Sequence, residues 1–585
     1  MAKSKSYKNM QSQSRGKKHD SIIAMITAMF FIVIMAVYPL YMNSARYIGL
    51  TWVKTSFFWT VTGVTIAALL FMFVCVKRSW IRNYYDESEP ARKISIAEWA
   101  LLGFIVWTFI SAFLSHWLRG HGSIVWSGYA ERYEGFISFA AYALCFVIIA
   151  RLYKFKQWHF TAIAVSAIIL SLIGILQFFG HDIFNLFPFT GARETIDHLG
   201  NPIFGPLSAF FRTTLGNVNM VSAYCSFMIL LFTALFAVSP SLSSCDNDNS
   251  DDKTESNKRI MLNKISPYLY LAAGIFSFAL SLTTGLSGDT HTVAILGAMV
   301  LLTPYWISDR GRLGRVLIMV STWCVLYAGQ NAYITAVQRR FEAGEFFPPA
   351  DVALLSAHTP TNIALFLTIG AILLICGLML TLVLKKWIAE RAAKIAGAIF
   401  LGALIVGGLI GLEIVGSRLS EQPDNIIWQA REMMHGRIDD DFGSARGWIW
   451  RNALEVLPDN PIFGTGPDTF RYALGNARQA EAAERYNVLY YDKAHNIFLQ
   501  IAVCMGIPAL IAYIIFLGGV FIPSVKRAFD RPVLFSFGAA ALAYVIQSFF
   551  AVEVPITTPL LWIALGVMAN EVWLVKIKTE GKLNG

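Results

Sequence analysis

Four short clusters combine the residue types that charged-substrate chemistry needs. In DKAHNIFLQ (Asp492 to Gln500), His495 follows Asp492 by three positions and adjoins Asn496, just where a polar loop meets an apolar stretch. An imidazole near an acid in such a place can take a proton close to neutral pH, although a structural interface histidine would read the same way. Upstream, GSARGWIWRNALEVLPDNPIFGTGP (Gly443 to Pro467) embeds Arg446 and Arg451 in an aromatic, amphipathic stretch. A guanidinium is a fixed fork of donors that grips two phosphate oxygens and stays charged at any working pH; anchoring at a membrane surface is the other use of such a stretch. In FRTTLGNVNM (Phe211 to Met220), Arg212 precedes Gly216, Asn217 and Asn219 at an expected helix start. Free amides plus an arginine suit an anion, and an ordinary cap with a snorkelling arginine fits equally. In WSGYAERYEG (Trp126 to Gly135), Arg132 lies among Glu131, Tyr133 and Glu134, which suits either an interfacial aromatic belt with an ion pair or a contact to lipid phosphate or sugar.

The elements that must hold these clusters are apolar helices. The chain has 585 residues, of which 56% are hydrophobic and 15% charged, against roughly 25% charged in a soluble domain. Apolar stretches of about 17–25 residues recur, the length a helix needs to cross a roughly 30 Å hydrocarbon layer. Backbone amides in lipid must be bonded within their own segment, and the short alternating strands of a barrel are missing from the sequence. The spacing therefore predicts an all-α polytopic membrane protein with about fourteen spans, near 21–41, 57–76, 97–115, 136–153, 160–179, 217–238, 267–283, 291–307, 316–335, 361–384, 395–415, 496–522, 533–552 and 556–575. Six of the seven cysteines fall in these spans and Cys245 in a connector, with neither metal-ligand spacing nor a disulfide framework. The first apolar stretch is too long for a signal core and reads as an uncleaved span.

The net charge of +10 is spread through short connectors rather than gathered on one face, which argues against nucleic acid. Its distribution sets an orientation. After the basic start (Lys3, Arg15, Lys17, Lys18), every second connector is basic, among them Lys77, Arg78 and Arg82, then Arg151, Lys154 and Lys156, and later Lys526, Arg527 and Arg531. The positive-inside rule then puts both termini in the cytoplasm and the four clusters on the outer side. The expected organisation is a basic tail (1–20), membrane helices (21–238), a disordered cytosolic loop (239–265) rich in Asp, Asn and Ser, further helices (266–415), a large outer loop (416–493), C-terminal helices (494–575) and a short tail (576–585). At almost eighty residues, the outer loop is too long for an idle connector.

Together, SARGWIWRNALEVL, NPIFGTGPDTF and AHNIFLQ resemble the O-antigen ligase/polymerase superfamily (Wzy-C, the O-antigen ligase-related domain). An Arg-led segment, a Pro followed by a Gly-x-Gly turn, and an Ala-His-Asn-x-x-Leu occur there in the same order. FRTTLGNVNM and WSGYAERYEG are similar to upstream elements of the family, so the resemblance spans roughly residues 120–570. It implies a C-type glycosyltransferase-like fold that works on the outer face of a bacterial plasma membrane, without metal or cofactor. It implies transfer of a glycan from an undecaprenyl-diphosphate carrier to a hydroxyl of a lipid, glycan or protein acceptor. In that reading His495 and Arg446 are the catalytic residues, as general base and diphosphate ligand. Arg212, Arg132, Arg451 and Asn219 contact substrate. A positioned base contributes about 10²–10⁴-fold, and fixed arginines stabilise the charge that builds on the leaving diphosphate.

One departure stands out. Many members carry a Ser-Arg pair near a middle span, whereas TTGLSGDTH here has Gly288 and Asp289 after Ser287. Compensation by Arg212 or Arg132, a different donor, or loss of activity would each account for it. Rival readings are a lipid-linked oligosaccharide flippase or transporter, which would put cations inside its spans, a peptidoglycan polymerase of the shape, elongation and division type, which would use an acid in an outer loop, and a non-catalytic envelope scaffold.

Overall fold

A computed structural model of the chain describes residues 22–75, 93–179, 181–186, 195–196, 202–203, 211–242, 253–284, 290–342, 362–384, 386–418 and 426–583. Helices dominate these residues. The helices are α1 (Ile22–Leu40), α2 (Leu50–Cys75), α3 (Ile96–Arg119), α4 (Phe136–Leu152), α5 (Gln157–Phe178), α6 (Val218–Leu242), α7 (Lys253–Ser281), α8 (Thr290–Leu301), α9 (Arg310–Glu342), α10 (Ile363–Leu378), α11 (Glu390–Arg418), α12 (Ile426–Met434), α13 (Phe442–Val456), α14 (Phe470–Tyr486), α15 (Ile497–Met505), α16 (Ile507–Arg527), α17 (Pro532–Ser548) and α18 (Thr558–Leu583). Two small antiparallel pairings accompany them: β1 (Thr195–Ile196) with β2 (Pro202–Ile203), and β3 (Phe211–Arg212) with β4 (Gly216–Asn217).

The all-α polytopic reading holds. Among the described residues nine helices are long and apolar enough to cross a membrane, and α4, α8 and α17 are shorter apolar helices. The expected fourteen is not reached by that measure, and two of the fourteen stretches are broken. The stretch 291–307 divides into α8 and a short turn of helix, Thr303–Ile307. The stretch 496–522 divides at Gly506 into α15 and α16. Part of the loop expected at 239–265 is helical, since α7 begins at Lys253, and residues 243–252 lie outside the described residues. So do the basic start at residues 1–21 and the Ser287 to Asp289 departure.

Burial follows the sequence pattern. The apolar window of α6 is entirely buried, as expected of a helix that is apolar all round. It packs between α7 and α17, while α4 lies on α18 and α3 on α16. Helices α10 and α11 keep most of their apolar surface open, at the edge of the bundle. Apolar side chains gain nothing by leaving lipid, so an exposed Leu or Ile there costs little.

Candidate active site

The Gly-x-Gly turn positions everything else. Its backbone runs alongside the end of α15: Thr465 N–H donates to Val503 O at 3.1 Å, Gly466 N–H to Cys504 O at 2.7 Å, and Ile507 N–H to Pro461 O at 2.8 Å. The first two bonds satisfy carbonyls, and the third an amide, that the break at Gly506 would otherwise leave bare. The approach tolerates no side chains. A Cβ on Gly506 would stand 1.9 Å from Ile462 O, and one on Gly464 would stand 2.3 Å from Cys504 C, with φ positive at both. From α3, Trp107 Nε1 donates to Ile462 O, Ser111 Oγ to Phe463 O and Ser115 Oγ to Thr465 O. The turn is therefore a clamp that ties α15 to α3 rather than a phosphate-binding loop.

Just after the turn, Asp468 gathers two other motifs. Its Oδ2 accepts from the backbone N–H groups of Tyr129 (2.7 Å) and Glu134 (3.1 Å), and its Oδ1 stands 2.7 Å from Lys493 Nζ. Lys493 is also 2.7 Å from Glu134 Oε2. All three side chains are almost wholly buried. Burial pushes the Glu134 carboxyl up to about 7 even though the Lys493 charge opposes it. Two acids hold Lys493 charged, above its ordinary range, against the pull of burial. One residue away, Arg132 grips Asp492 through two bonds, Nε to Oδ2 at 2.8 Å and Nη2 to Oδ1 at 3.2 Å.

These contacts fix the loop that carries His495. Asn496 caps α15, its Oδ1 accepting from Phe498 N–H (2.9 Å) and Leu499 N–H (3.1 Å). Gln500 Oε1 accepts from Ala494 N–H, and Trp450 Nε1 of α13 donates to Ala494 O. His495 between them adopts φ +50°, a left-handed conformation uncommon for a non-glycine residue, and Asp468 (+61°) and Ala445 (+67°) do the same. Its ring has no hydrogen-bond partner among the described residues and opens on a small cleft. Glu134, Lys493, Asn496, Gln500, Ala551 and Glu553 also line that cleft. Burial, then the charges of Arg446 and Arg132, hold the imidazole neutral, with its conjugate acid pushed down to about 3.

Arg446 is the fifth residue of α13. Its Nε donates to Phe550 O at 2.7 Å and its Nη1 to Gly443 O. Phe550 adjoins Ala551 in the cleft wall, so Arg446 braces the lining without being part of it. Among the described residues the guanidinium has no carboxylate partner, and burial alone displaces it downward from its ordinary range.

The other expected substrate contacts are placed differently. Arg451 turns to solvent, bonded to Asp440 through Nε and Nη2 (2.9 and 2.8 Å) and to Glu455. Arg132 is engaged by Asp492, so that acid serves the arginine rather than the histidine. Arg212 is buried at the base of the β3–β4 turn, beside Tyr47, Gln177 and Asp182, none of which lines the cleft. Asn219 is the second residue of α6, and its backbone N–H donates to Asn217 Oδ1 at 2.8 Å, so the capping role belongs to Asn217. Sequence reasoning passed over Lys493, Asp468 and Glu553. A lysine next to Asp492 and two residues before His495 was the one available signal.

This geometry frames the match to known proteins. Residues 352–514 match the O-antigen ligase family model, Wzy_C. The match takes in Arg446, the Gly-x-Gly clamp, Lys493 and His495, and supports an O-antigen ligase-type function in the cell envelope. No curated protein matches the chain. The matched segment ends inside α16, so Glu134 and Arg132 reach it from upstream and Glu553 from downstream.

Proposed function

We propose that the chain transfers a glycan from an undecaprenyl-diphosphate carrier to an acceptor hydroxyl on the outer face of the plasma membrane. The observation that carries this reading is a guanidinium, Arg446, with no carboxylate partner among the described residues, in electrostatic reach of a neutral imidazole, His495, that has no hydrogen-bond partner among them and opens on the cleft whose wall Arg446 braces. A buried cation without an acid is costly, and an anionic ligand relieves that cost. Arg446 binds the diphosphate and offsets the charge that grows as it departs. His495, neutral and without a hydrogen-bond partner among the described residues, takes the acceptor proton. Arg132 and Asp492 fix the loop on which His495 sits and thus act as positioning residues. The basic connectors orient the cleft outward, and both termini inward. A diphosphate is a good leaving group, so this reading calls on positive charge, a base and alignment rather than on a metal.

The test is a deletion strain complemented with wild type or His495→Ala, with lipid-linked intermediates and surface glycans analysed together. Wild type restores the surface product. His495→Ala inserts normally but leaves donor on its carrier: full-length donor for a ligase, single repeat units for a polymerase. Normal surface glycan from His495→Ala removes the transferase reading.

A further inference from the structure

Glu553 lies in the connector between α17 and α18 and lines the same cleft as His495. It is 6% exposed, and its Oε1 is buried without a hydrogen-bond partner among the described residues. The groups that face it come from five elements: Glu134 and Lys493 from the two site loops, Tyr142 of α4, Tyr513 of α16 and Tyr544 of α17. Burial, followed by the Glu134 charge, pushes its carboxyl up to about 8, against the opposing effects of the Ser548 hydroxyl and Lys493.

The cleft thus holds a base and an acid in reversed order, an imidazole that stays neutral and a carboxyl that keeps its proton. Environments that drive two titratable groups apart in this way mark acid and base roles. A carboxylate beside a diphosphate would repel it, whereas a carboxylic acid can donate a hydrogen bond to it. Resting on the transferase reading above, we propose that Glu553 is the general acid that acts opposite His495, giving its proton to the departing diphosphate. The acceptor oxygen bonds to the anomeric carbon as its proton passes to His495. The bond from the anomeric carbon to the phosphate oxygen breaks, and its electron pair stays on that oxygen, which receives the Glu553 proton. The imidazolium then returns a proton to the Glu553 carboxylate, so the products are the glycosylated acceptor and a singly protonated carrier diphosphate.

The test uses full-length protein in lipid nanodiscs, with lipid-linked glycan extracted from the deletion strain as donor and that strain's envelope fraction as acceptor. Glu553→Gln is nearly isosteric and keeps a hydrogen-bond donor but releases no proton. It lowers kcat by about 10²-fold or more and abolishes the fall in rate on the alkaline side that wild type shows as Glu553 ionises. Glu553→Asp retains that alkaline fall at a reduced kcat. Independently, the infrared carbonyl band of protonated carboxyls at neutral pH is weaker in Glu553→Gln than in wild type, the remainder coming from Glu134. Wild-type kcat and an unchanged alkaline limb in Glu553→Gln, or an infrared carbonyl band of equal strength in both proteins, overturn the acid role. If those results accompany an inactive His495→Ala, only this inference falls; an active His495→Ala removes the transferase reading itself.

Discussion

The Nε of Arg446 donates to the carbonyl of Phe550 at 2.7 Å, across more than a hundred residues of sequence. That bond fixes the plane of the guanidinium while leaving its charge unmatched by any carboxylate among the described residues. Arg446→Ala is therefore expected to lower glycan transfer by about 10²–10³-fold, the usual cost of one lost charge-stabilising donor. Arg446→Lys recovers only part, because a point charge cannot brace Phe550 and present two parallel donors together. Transfer rates in nanodiscs check this, and full activity of the lysine variant would assign Arg446 to membrane anchoring.

The pH profile reports on His495 directly. An ordinary histidine loses its base form below about 6.5, whereas burial and two arginines hold this one neutral down to about 3. For kcat/KM, the acid limb of the free enzyme is expected well below pH 5. Removing one of those charges with Arg446→Gln moves the limb upward. In the kcat profile the bound diphosphate offsets Arg446, so the limb also lies higher there than in kcat/KM. Stability follows the same sign: the folded form binds fewer protons than the unfolded one, so this contribution is present above about 6.5 and is lost as pH falls below it. A wild-type kcat/KM inflection near 6.5 would contradict the assigned environment.

The helices were legible because lipid enforces one rule, a continuous apolar helix, on every span. The break in 496–522 was not, since two abutting apolar helices read as one run. Only the sequence Gly506, Ile507, Pro508 hints at a stop and a restart. Arg446 and Arg451 looked equivalent in sequence, yet five residues on a helix turn about 140°. One accordingly faces Phe550 and the other Asp440. Arg446 and His495 stood out by residue type and placement, whereas the roles expected of them came from family resemblance. Glu134, Asp468, Lys493 and Glu553 come from four distant segments, and no local pattern announces a cluster that exists only after folding.

Arg132 and Asp492 form a pair whose role is separable from charge. If Arg132 contacted substrate itself, Arg132→Ala and Asp492→Asn would impair transfer independently. As a positioning pair they act as a unit, and the double variant is expected to be no worse than Arg132→Ala alone. The loss should appear in kcat more than in KM, because the loop with His495 shifts while the Arg446 site remains. Additive losses in a double-mutant cycle would return Arg132 to the substrate.

Lys493 is the residue on which the site's integrity turns. Its ammonium stands 2.7 Å from each of two buried carboxylates that belong to separate motifs. Lys493→Met keeps the volume but strands both acids, and breaking a buried ion pair by removing one partner costs about 3–5 kcal/mol. The variant is expected to unfold at clearly lower temperature in detergent. Adding Glu134→Gln and Asp468→Asn to it recovers much of the loss, because the stranded charges are then gone. The wild-type pH dependence has a defined sign. The folded-state pKa of Glu134 is raised to about 7 from 4.5. Its favourable contribution is therefore full below 4.5 and is lost as pH rises through 7. Thermal scans between pH 5 and 8 check this, and in Glu134→Gln that part of the slope disappears. A Lys493→Met protein as stable as wild type would mean that the three motifs are held together by the Gly464–Gly506 clamp alone.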